Sequence, residues 1–96
     1  MIQSIKGSVT RQFVETGKSK FSGMNVQIAN RRLAQLNAAT SLASLGQLNS
    51  VGLHKLSGNL QDYWSIDING PWRILFQFID GDAHQVHIVD THVRRR

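Results

Sequence analysis

The stretch Tyr63–Phe78, YWSIDINGPWRILFQF, decides which class of fold this chain adopts. On both sides of Asn69-Gly70-Pro71, apolar and polar residues alternate, which is the pattern of a strand with one buried face. Because Asn-Gly-Pro between two such runs is a turn signal, we predict two antiparallel strands joined as a hairpin.

A second turn signal, Asp80-Gly81-Asp82, extends the hairpin to a third antiparallel strand that we place at Gln85–Asp90. The alternation then defines two faces of a sheet. The face that we expect the helices to cover carries Trp64, Ile66, Ile74, Phe76, Val86 and Ile88. The other face is semi-polar and open, which suits a functional site, and it carries Tyr63, Asp67, Arg73, Gln77 and His87.

The part of the chain before the hairpin is predicted to be mainly helical. We expect a short first strand around Gln3–Ile5, followed by a helix with Ser8 as its N-cap and Gly17 as its C-terminal stop. A second, amphipathic helix is predicted to start within Ser22–Asn25 and to end near Ala39. A short third helix and a short strand lead into the hairpin. The order of strand, two or three helices and a mainly antiparallel sheet indicates an α+β fold.

Length and composition limit the kinds of protein that this chain can be. Its 96 residues suffice for one domain, which we place at residues 1–92, followed by a basic tail at residues 93–96. The lack of cysteine excludes a disulfide scaffold and a thiolate zinc site. No apolar run approaches the roughly 20 residues of a membrane span, and the N-terminus lacks the apolar core of a secretory signal. We therefore expect a cytoplasmic protein without membrane contact.

Positive charge is concentrated in the first two thirds of the chain. Residues 1–61 carry seven Lys or Arg and one Glu, whereas residues 62–96 carry four basic residues and five Asp. A cationic surface of this kind attracts a polyanion such as a nucleic acid. The alternative is that the charge serves solubility alone.

Histidine and aspartate near the C-terminus suggest acid–base chemistry. Asp90 and His92 lie two residues apart on the same side of a strand end, where a carboxylate can orient an imidazole and raise its pKa. A metal site is disfavoured, because His87 lies on the opposite strand face and no compact ligand set results. Together with His54 and an arginine, the pair suits RNA cleavage without a metal or cofactor. The alternative is that these are surface histidines without a role.

Arg73 lies in the predicted central strand and points away from the helices. An arginine among apolar strand residues needs either a carboxylate, such as Asp67 across the hairpin, or an anionic ligand. The residues alone favour neither partner. Tyr63 lies on the same open face, where its ring is placed to stack on a nucleic-acid base.

A series of short segments along the chain carries a family resemblance. The segments are Ala38-Ala39-Thr40, Leu53-His54-Lys55-Leu56-Ser57-Gly58, Tyr63-Trp64-Ser65-Ile66, Trp72-Arg73-Ile74 and Ile88-Val89-Asp90-Thr91-His92. In this order and spacing they resemble the HigB toxins of the RelE superfamily, which belong to bacterial toxin–antitoxin systems. The resemblance implies a compact fold like that of microbial ribonucleases. It also implies an endoribonuclease that cuts mRNA in the ribosomal A site.

The resemblance further implies partners and site residues. A HigA-type antitoxin with a helix-turn-helix domain would bind the toxin, and operator DNA would be bound only through that complex. The catalytic positions of the family fall on His54, Asp90 and His92, with Arg73 as a phosphate contact. Many relatives carry an aromatic residue, usually tyrosine, where this chain has Thr91, so we expect the substrate to be positioned differently here.

Two further sets of residues are assigned to RNA. The candidate substrate contacts are Lys55, Tyr63, Arg73 and Thr91. The candidate contacts to the 16S RNA of the ribosome are Lys6, Arg11, Lys18, Lys20, Arg31 and Arg32. The alternative function is a weakly active or inactive module of the same fold that binds RNA or the antitoxin. A regulator that binds DNA alone is disfavoured, because the basic residues do not concentrate on one recognition helix.

Overall fold

A computed structural model describes residues 1–91 of the chain. The helices are α1 (Ser8–Thr16), α2 (Val26–Ala38) and α3 (Leu42–Gly46), and the strands are β1 (His54–Lys55), β2 (Trp64–Asp67), β3 (Trp72–Ile79) and β4 (Asp82–Asp90). A 3₁₀ turn at Gly58–Leu60 lies between β1 and β2. The four strands form one antiparallel sheet in the order β1-β2-β3-β4. The α+β fold class is therefore confirmed.

Tight turns set the register of the sheet. Trp64 lies opposite Phe76 and Asp67 lies opposite Arg73 across the predicted hairpin. The strand predicted at Gln85–Asp90 begins earlier, at Asp82. The reason is that Asp80 and Gly81, at φ 51° and 83°, form a two-residue turn with both φ angles positive, which continues the strand pairing directly.

The hydrophobic core lies between α2 and the apolar face of the sheet. Asn25 caps α2 through its side chain, which accepts a hydrogen bond from the Ile28 amide at 3.0 Å. The α2 residues Ala29, Leu33 and Leu36 are buried. Packed against them in the core are Phe13, Leu45, Ile66, Ile74, Phe76, Val86 and Ile88. The predicted covered face is thus confirmed, with Trp64 half-buried at its margin.

The N-terminal segment is only partly the strand that we expected. Ile2 and Ile5 form isolated parallel bridges with Ala83 and Val86 of β4, and no continuous ladder joins them. The reason is an irregularity in β4 between the two bridges, where Gln85 has a φ of 52°. There the Gln85 amide donates to the Ser4 hydroxyl at 2.9 Å, where a ladder would place a backbone carbonyl.

Of the two caps predicted for the first helix, the C-terminal one is correct and the N-terminal one is not. Gly17 ends α1 in the left-handed conformation, at φ 80°, and its amide donates to the Phe13 carbonyl, as predicted. The residue before the helix is Gly7, without a side-chain cap, so Ser8 is the first helical residue rather than the cap.

Candidate active site

The face of the sheet opposite the helices, which we call the open face, carries residues from all four strands. Cross-strand register places His54, Ser65, Leu75 and His87 in one row. Asp67, Arg73 and Val89 form the neighbouring row. Because residues in register on adjacent strands point to the same face, these side chains share one surface.

Arg73 is held on the open face by an ion pair. Its Nη1 donates to Asp67 Oδ1 at 2.5 Å, and the two side chains are 32% and 39% exposed. Asp67 is itself fixed, because its amide donates to the Val51 carbonyl at 2.7 Å. Gly52 packs so closely against the Asp67 carboxylate that a Cβ there would overlap it. The sequence left undecided whether Arg73 pairs with Asp67 or with an anionic ligand, and the structure shows the pair with Asp67.

Arg32, two turns into α2, belongs to the interior and not to the surface. It is 5% exposed. Its Nε donates to the Asp67 carbonyl and its Nη2 to the Ser50 carbonyl, both at 2.8 Å. Its Nη1 donates to Gln35 Oε1 at 3.1 Å. The assignment of Arg32 to a ribosome-binding surface is therefore wrong, because its guanidinium ties α2 to the chain around β2 and is out of reach of a phosphate.

A cavity of about 220 Å³ lies on the open face beside Arg73. The connection between β1 and β2 forms one side of it, and β2, β3 and the end of β4 form the other. It is lined by Leu56, Ser57, Leu60, Ser65, Arg73, Leu75, Val89 and Thr91. Thr91 is fixed at this margin, because both its amide and its hydroxyl donate to the Pro71 carbonyl, at 2.9 and 3.0 Å.

Tyr63 and His87 form a second group on the open face. Their rings meet edge to face at 5.6 Å between centroids, and Lys6 Nζ lies 5.8 Å from the centre of the Tyr63 ring. Burial lowers the pKa of His87, and the charge of Lys6 acts in the same direction, whereas a hydrogen bond to the Gln85 carbonyl opposes them. The lowered pKa favours the neutral form of His87.

The remaining predicted site residues lie around the ends of the strands. His54 is exposed, on the same face as Ser65, whereas the next residue, Lys55, turns to the other side of β1. There Lys55 Nζ lies over the Trp64 ring at 5.6 Å and also contacts the Gln61 carbonyl. Asp90 lies opposite Trp72 at the end of β4, so its register follows the covered face and not the rows of His54 and Arg73 on the open face. His92 and the tail at 93–96 lie outside the described residues.

The other candidate ribosome contacts are exposed. Lys18 and Lys20 lie in the connection between α1 and α2, and Arg31 lies on α2. Arg11 is exposed on α1, although its Nη2 donates to the Ile5 carbonyl at 2.8 Å. Lys6 is the member of this set that contacts the open face, through Tyr63.

Two properties of residues 1–91 bear on the class of protein. Within them, no group of three or more His, Cys, Asp or Glu side chains is arranged to hold a metal ion. None of the helices in this described part is long and apolar enough to cross a membrane.

The α+β fold with its four-stranded antiparallel sheet is consistent with the fold of a small RelE-like protein. The family model of the RelE-like toxin of the type II toxin–antitoxin system HigB matches residues 3–92. The chain therefore belongs to this family of HigB-like toxins. Endoribonuclease HigB of Proteus vulgaris is 37% identical to it over 94 residues, which are 96% of this chain and the whole of that protein. The family resemblance seen in the sequence is thus confirmed.

Sequence reasoning missed two features of the open face. One is Ser65, whose hydroxyl is buried without a partner among the described residues. The other is the contact between Tyr63 and His87. The signal for Ser65 was present, since it is a small polar residue in a strand between two aromatic or aliphatic neighbours, on the face assigned to the site.

Proposed function

We propose that this chain is a toxin that acts as an endoribonuclease on mRNA held by the ribosome, by acid–base catalysis without a metal. Membership of the HigB-like toxin family supports the toxin role. The relative named endoribonuclease HigB supports RNA cleavage as the activity. Such an enzyme would act in the cytoplasm and would be held inactive by an antitoxin, which we propose to be of the HigA type with a helix-turn-helix domain. Operator DNA would be bound only through the toxin–antitoxin complex.

The observation that carries the proposal is the position of Arg73. Among the described residues, its guanidinium makes one hydrogen bond, to Asp67, and it lies at the margin of the cavity on the open face. An arginine has five N–H donors in a planar fork, so further donors remain for a phosphate group. Arg73 would stabilise the negative charge that builds up on the scissile phosphate in the transition state.

The proposed chemistry is an attack by the ribose on its own phosphate. A general base removes the proton of the 2′-hydroxyl, and the 2′-oxygen forms a bond to phosphorus while the bond from phosphorus to the 5′-oxygen breaks. A general acid gives a proton to that leaving oxygen, so the products end in a 2′,3′-cyclic phosphate and a 5′-hydroxyl. We assign the two roles to His54 and His92, without deciding which is which, and we assign to Asp90 the orientation of His92.

The ribosome would contribute geometry to this reaction. His54 is exposed at the short edge strand β1, so the open face alone does not enclose a substrate. A strand of mRNA held on the ribosome would arrive with its 2′-hydroxyl already oriented, which reduces the entropy cost of the attack. Lys6, Arg11, Lys18, Lys20 and Arg31 would contact the 16S RNA, and Tyr63 and Thr91 would contact the substrate, with Lys55 reaching RNA only from the edge of β1.

The test is to map mRNA breaks by primer extension in a purified translation system. Wild type, His54→Ala and His92→Ala are compared with His84→Ala, a histidine outside the proposed site, and each is also incubated with mRNA alone. We expect breaks that need ribosomes, that carry cyclic or 3′-phosphate ends, and that fall by about 100-fold or more in the two site variants but not in His84→Ala. Undiminished breaks in both site variants would move the chemistry to other residues.

A second candidate function is favoured by the state of Thr91. Its hydroxyl donates a hydrogen bond to the Pro71 carbonyl, and its side chain has no ring to stack on a base. A weakly active or inactive module that binds RNA or the antitoxin would fit this arrangement. Growth arrest in cells without any mRNA break from the wild-type protein would favour that module.

A further inference from the structure

Ser65 is a polar group that the fold buries without using. Among residues 1–91, its Oγ is the buried side-chain oxygen or nitrogen that has no hydrogen-bond partner. The residue is 1% exposed, in the middle of the open face. A hydroxyl in this state loses its bonds to water without replacement, so a ligand atom that bonds to it recovers that loss.

The cavity beside Arg73 gives such a ligand room. Ser65 lies at its inner side, and most of its wall is apolar, formed by Leu56, Leu60, Leu75 and Val89. Its volume of about 220 Å³ is below the roughly 300–1,000 Å³ of pockets that take a drug-sized ligand. The cavity therefore has the size for one ring system and not for a whole nucleotide or a length of peptide.

The outer wall of the cavity is formed before any ligand arrives. In the connection between β1 and β2, the Leu60 amide donates to the Ser57 carbonyl at 3.3 Å and the Tyr63 amide to the Leu60 carbonyl at 2.9 Å. The Leu56 amide closes the connection by donating to the Tyr63 carbonyl at 3.0 Å. A wall tied to itself in this way needs little reordering on binding, which favours affinity.

Three features of the cavity together select its occupant. The apolar walls favour a flat ring, the Ser65 hydroxyl favours a ring with a polar edge, and Arg73 at the margin favours a negative charge next to the ring. A nucleotide has all three. An aliphatic side chain of a protein partner would leave the Ser65 hydroxyl unpaired, and a water molecule would find few of the two to four polar partners that it needs.

We propose that this cavity receives one nucleobase of the RNA, whose polar edge bonds to the Ser65 hydroxyl while Arg73 binds the adjoining phosphate. The inference rests on the proposed function, since it assigns a substrate pocket to the same site. It makes Ser65 a specificity-determining residue, since a base with a matching edge atom at that point is held better than one without it.

Direct binding is tested by titrating the full chain with each of the four nucleoside 3′-monophosphates and following its backbone amides by NMR. We expect one or two of the four to shift the amides of Ser65, Leu75 and Val89 while that of Leu48, on the helical side, stays in place. Ser65→Ala should weaken that binding by about three- to tenfold, and Ser22→Ala, in an exposed turn, should leave it unchanged. Shifts that inorganic phosphate alone reproduces, or no shifts at these amides, would overturn the proposal.

Cleavage gives the second readout. Ser65→Ala should melt no lower than wild type, because it removes an unpaired hydroxyl, yet it should cut more slowly and with a relaxed base preference at the cut site. Leu60→Trp, which fills the cavity from its outer wall, should cut still more slowly, with Leu48→Trp as the matched control. Equal rates and equal base preference for Ser65→Ala and wild type would refute the pocket. If Leu60→Trp does not fold, Ser65→Ala alone decides the question.

The two proposals fail in different ways. If the wild-type protein cuts mRNA and Ser65→Ala changes neither rate nor preference, the nucleobase pocket is wrong and the endoribonuclease stands. If a nucleotide shifts the Ser65 amide but the wild-type protein breaks no mRNA, the pocket stands and the endoribonuclease is wrong.

Discussion

The two faces of the sheet differ in burial and in polarity. On the covered face, Ile66, Ile74 and Phe76 are fully buried against the helices. On the open face, one residue away on the same strands, the side chains of Asp67 and Arg73 are 39% and 32% exposed and form an ion pair. Because successive side chains of a strand point to opposite faces, a core side chain and an open-face side chain are separated by a single step in the sequence.

Asp67 is where the two faces are joined. Arg32 binds its backbone carbonyl from the helical side, and Arg73 binds its carboxylate from the open side. The first arginine is 5% exposed and structural, and the second has a side chain 32% exposed and is available to a ligand. The two arginines therefore have different surroundings, and substitutions can separate their effects.

The largest expected effect comes from the covered face. Phe76→Ala should lower the free energy of unfolding by about 3–5 kcal/mol, because it leaves a cavity in the core. The loss is measured by urea unfolding, with half-buried Phe78→Ala expected to lose less. Cleavage per folded molecule should stay at the wild-type level. A variant that remains fully folded but loses cleavage would contradict the separation of the two faces.

Arg73→Ala tests the open face. Cleavage on the ribosome should fall by about 100-fold, because one donor to the developing charge is lost. The melting temperature should change little, since a partly exposed ion pair contributes only about 0–1 kcal/mol. Arg73→Lys keeps the charge without the planar fork, so its cleavage rate should lie between those of wild type and Arg73→Ala. Wild-type cleavage by Arg73→Ala would remove this residue from the proposed mechanism.

Neighbouring arginines on α2 give a smaller and sharper contrast. Arg32→Met should lower the free energy of unfolding by about 1.5–3 kcal/mol, because the carbonyls of Asp67 and Ser50 lose a charged donor. Arg31→Ala should leave stability unchanged, and it should make ribosome binding less dependent on salt, since one phosphate contact is lost. The two variants are compared by urea unfolding and by binding at several salt concentrations. Equal loss of stability in both variants would refute the assignment of Arg32 to the interior and of Arg31 to the surface.

The smallest expected effect is the pH dependence that His87 contributes. Because burial lowers its pKa in the folded state, the unfolded chain takes up the proton first as the pH falls below its ordinary value of 6.5. The stability that neutral His87 contributes above this pH is lost as the pH falls through the lowered native pKa. The melting temperature of His87→Gln should therefore fall less than that of wild type when the pH is lowered from about 7 to 5. An equal loss in both proteins would show that other groups carry the dependence.

Local patterns were sufficient to predict the parts of the fold that repeat a simple rule. The alternation around Asn69-Gly70-Pro71 predicted the hairpin and its two faces, and the spacing of apolar residues predicted the buried stripe of α2. The same rules failed where a distant contact decides. The N-terminal segment forms only two isolated bridges, at Ile2 and Ile5, because Gln85 breaks the regular path of β4. Arg32 is buried because two distant carbonyls accept its donors.

The sequence by itself determined the class of fold, the division of the sheet into two faces, the family, and the Asp67–Arg73 pair as one of two alternatives. These follow from periodicity, turn signals and short segments, which act over a few residues. Only the tertiary structure decided that the pair forms, that Arg32 lies inside, and that a cavity with the unpaired Ser65 hydroxyl opens beside Arg73. Burial and cavities depend on which distant segments meet, because a side chain's surroundings are set by packing across the fold and not by its neighbours along the chain.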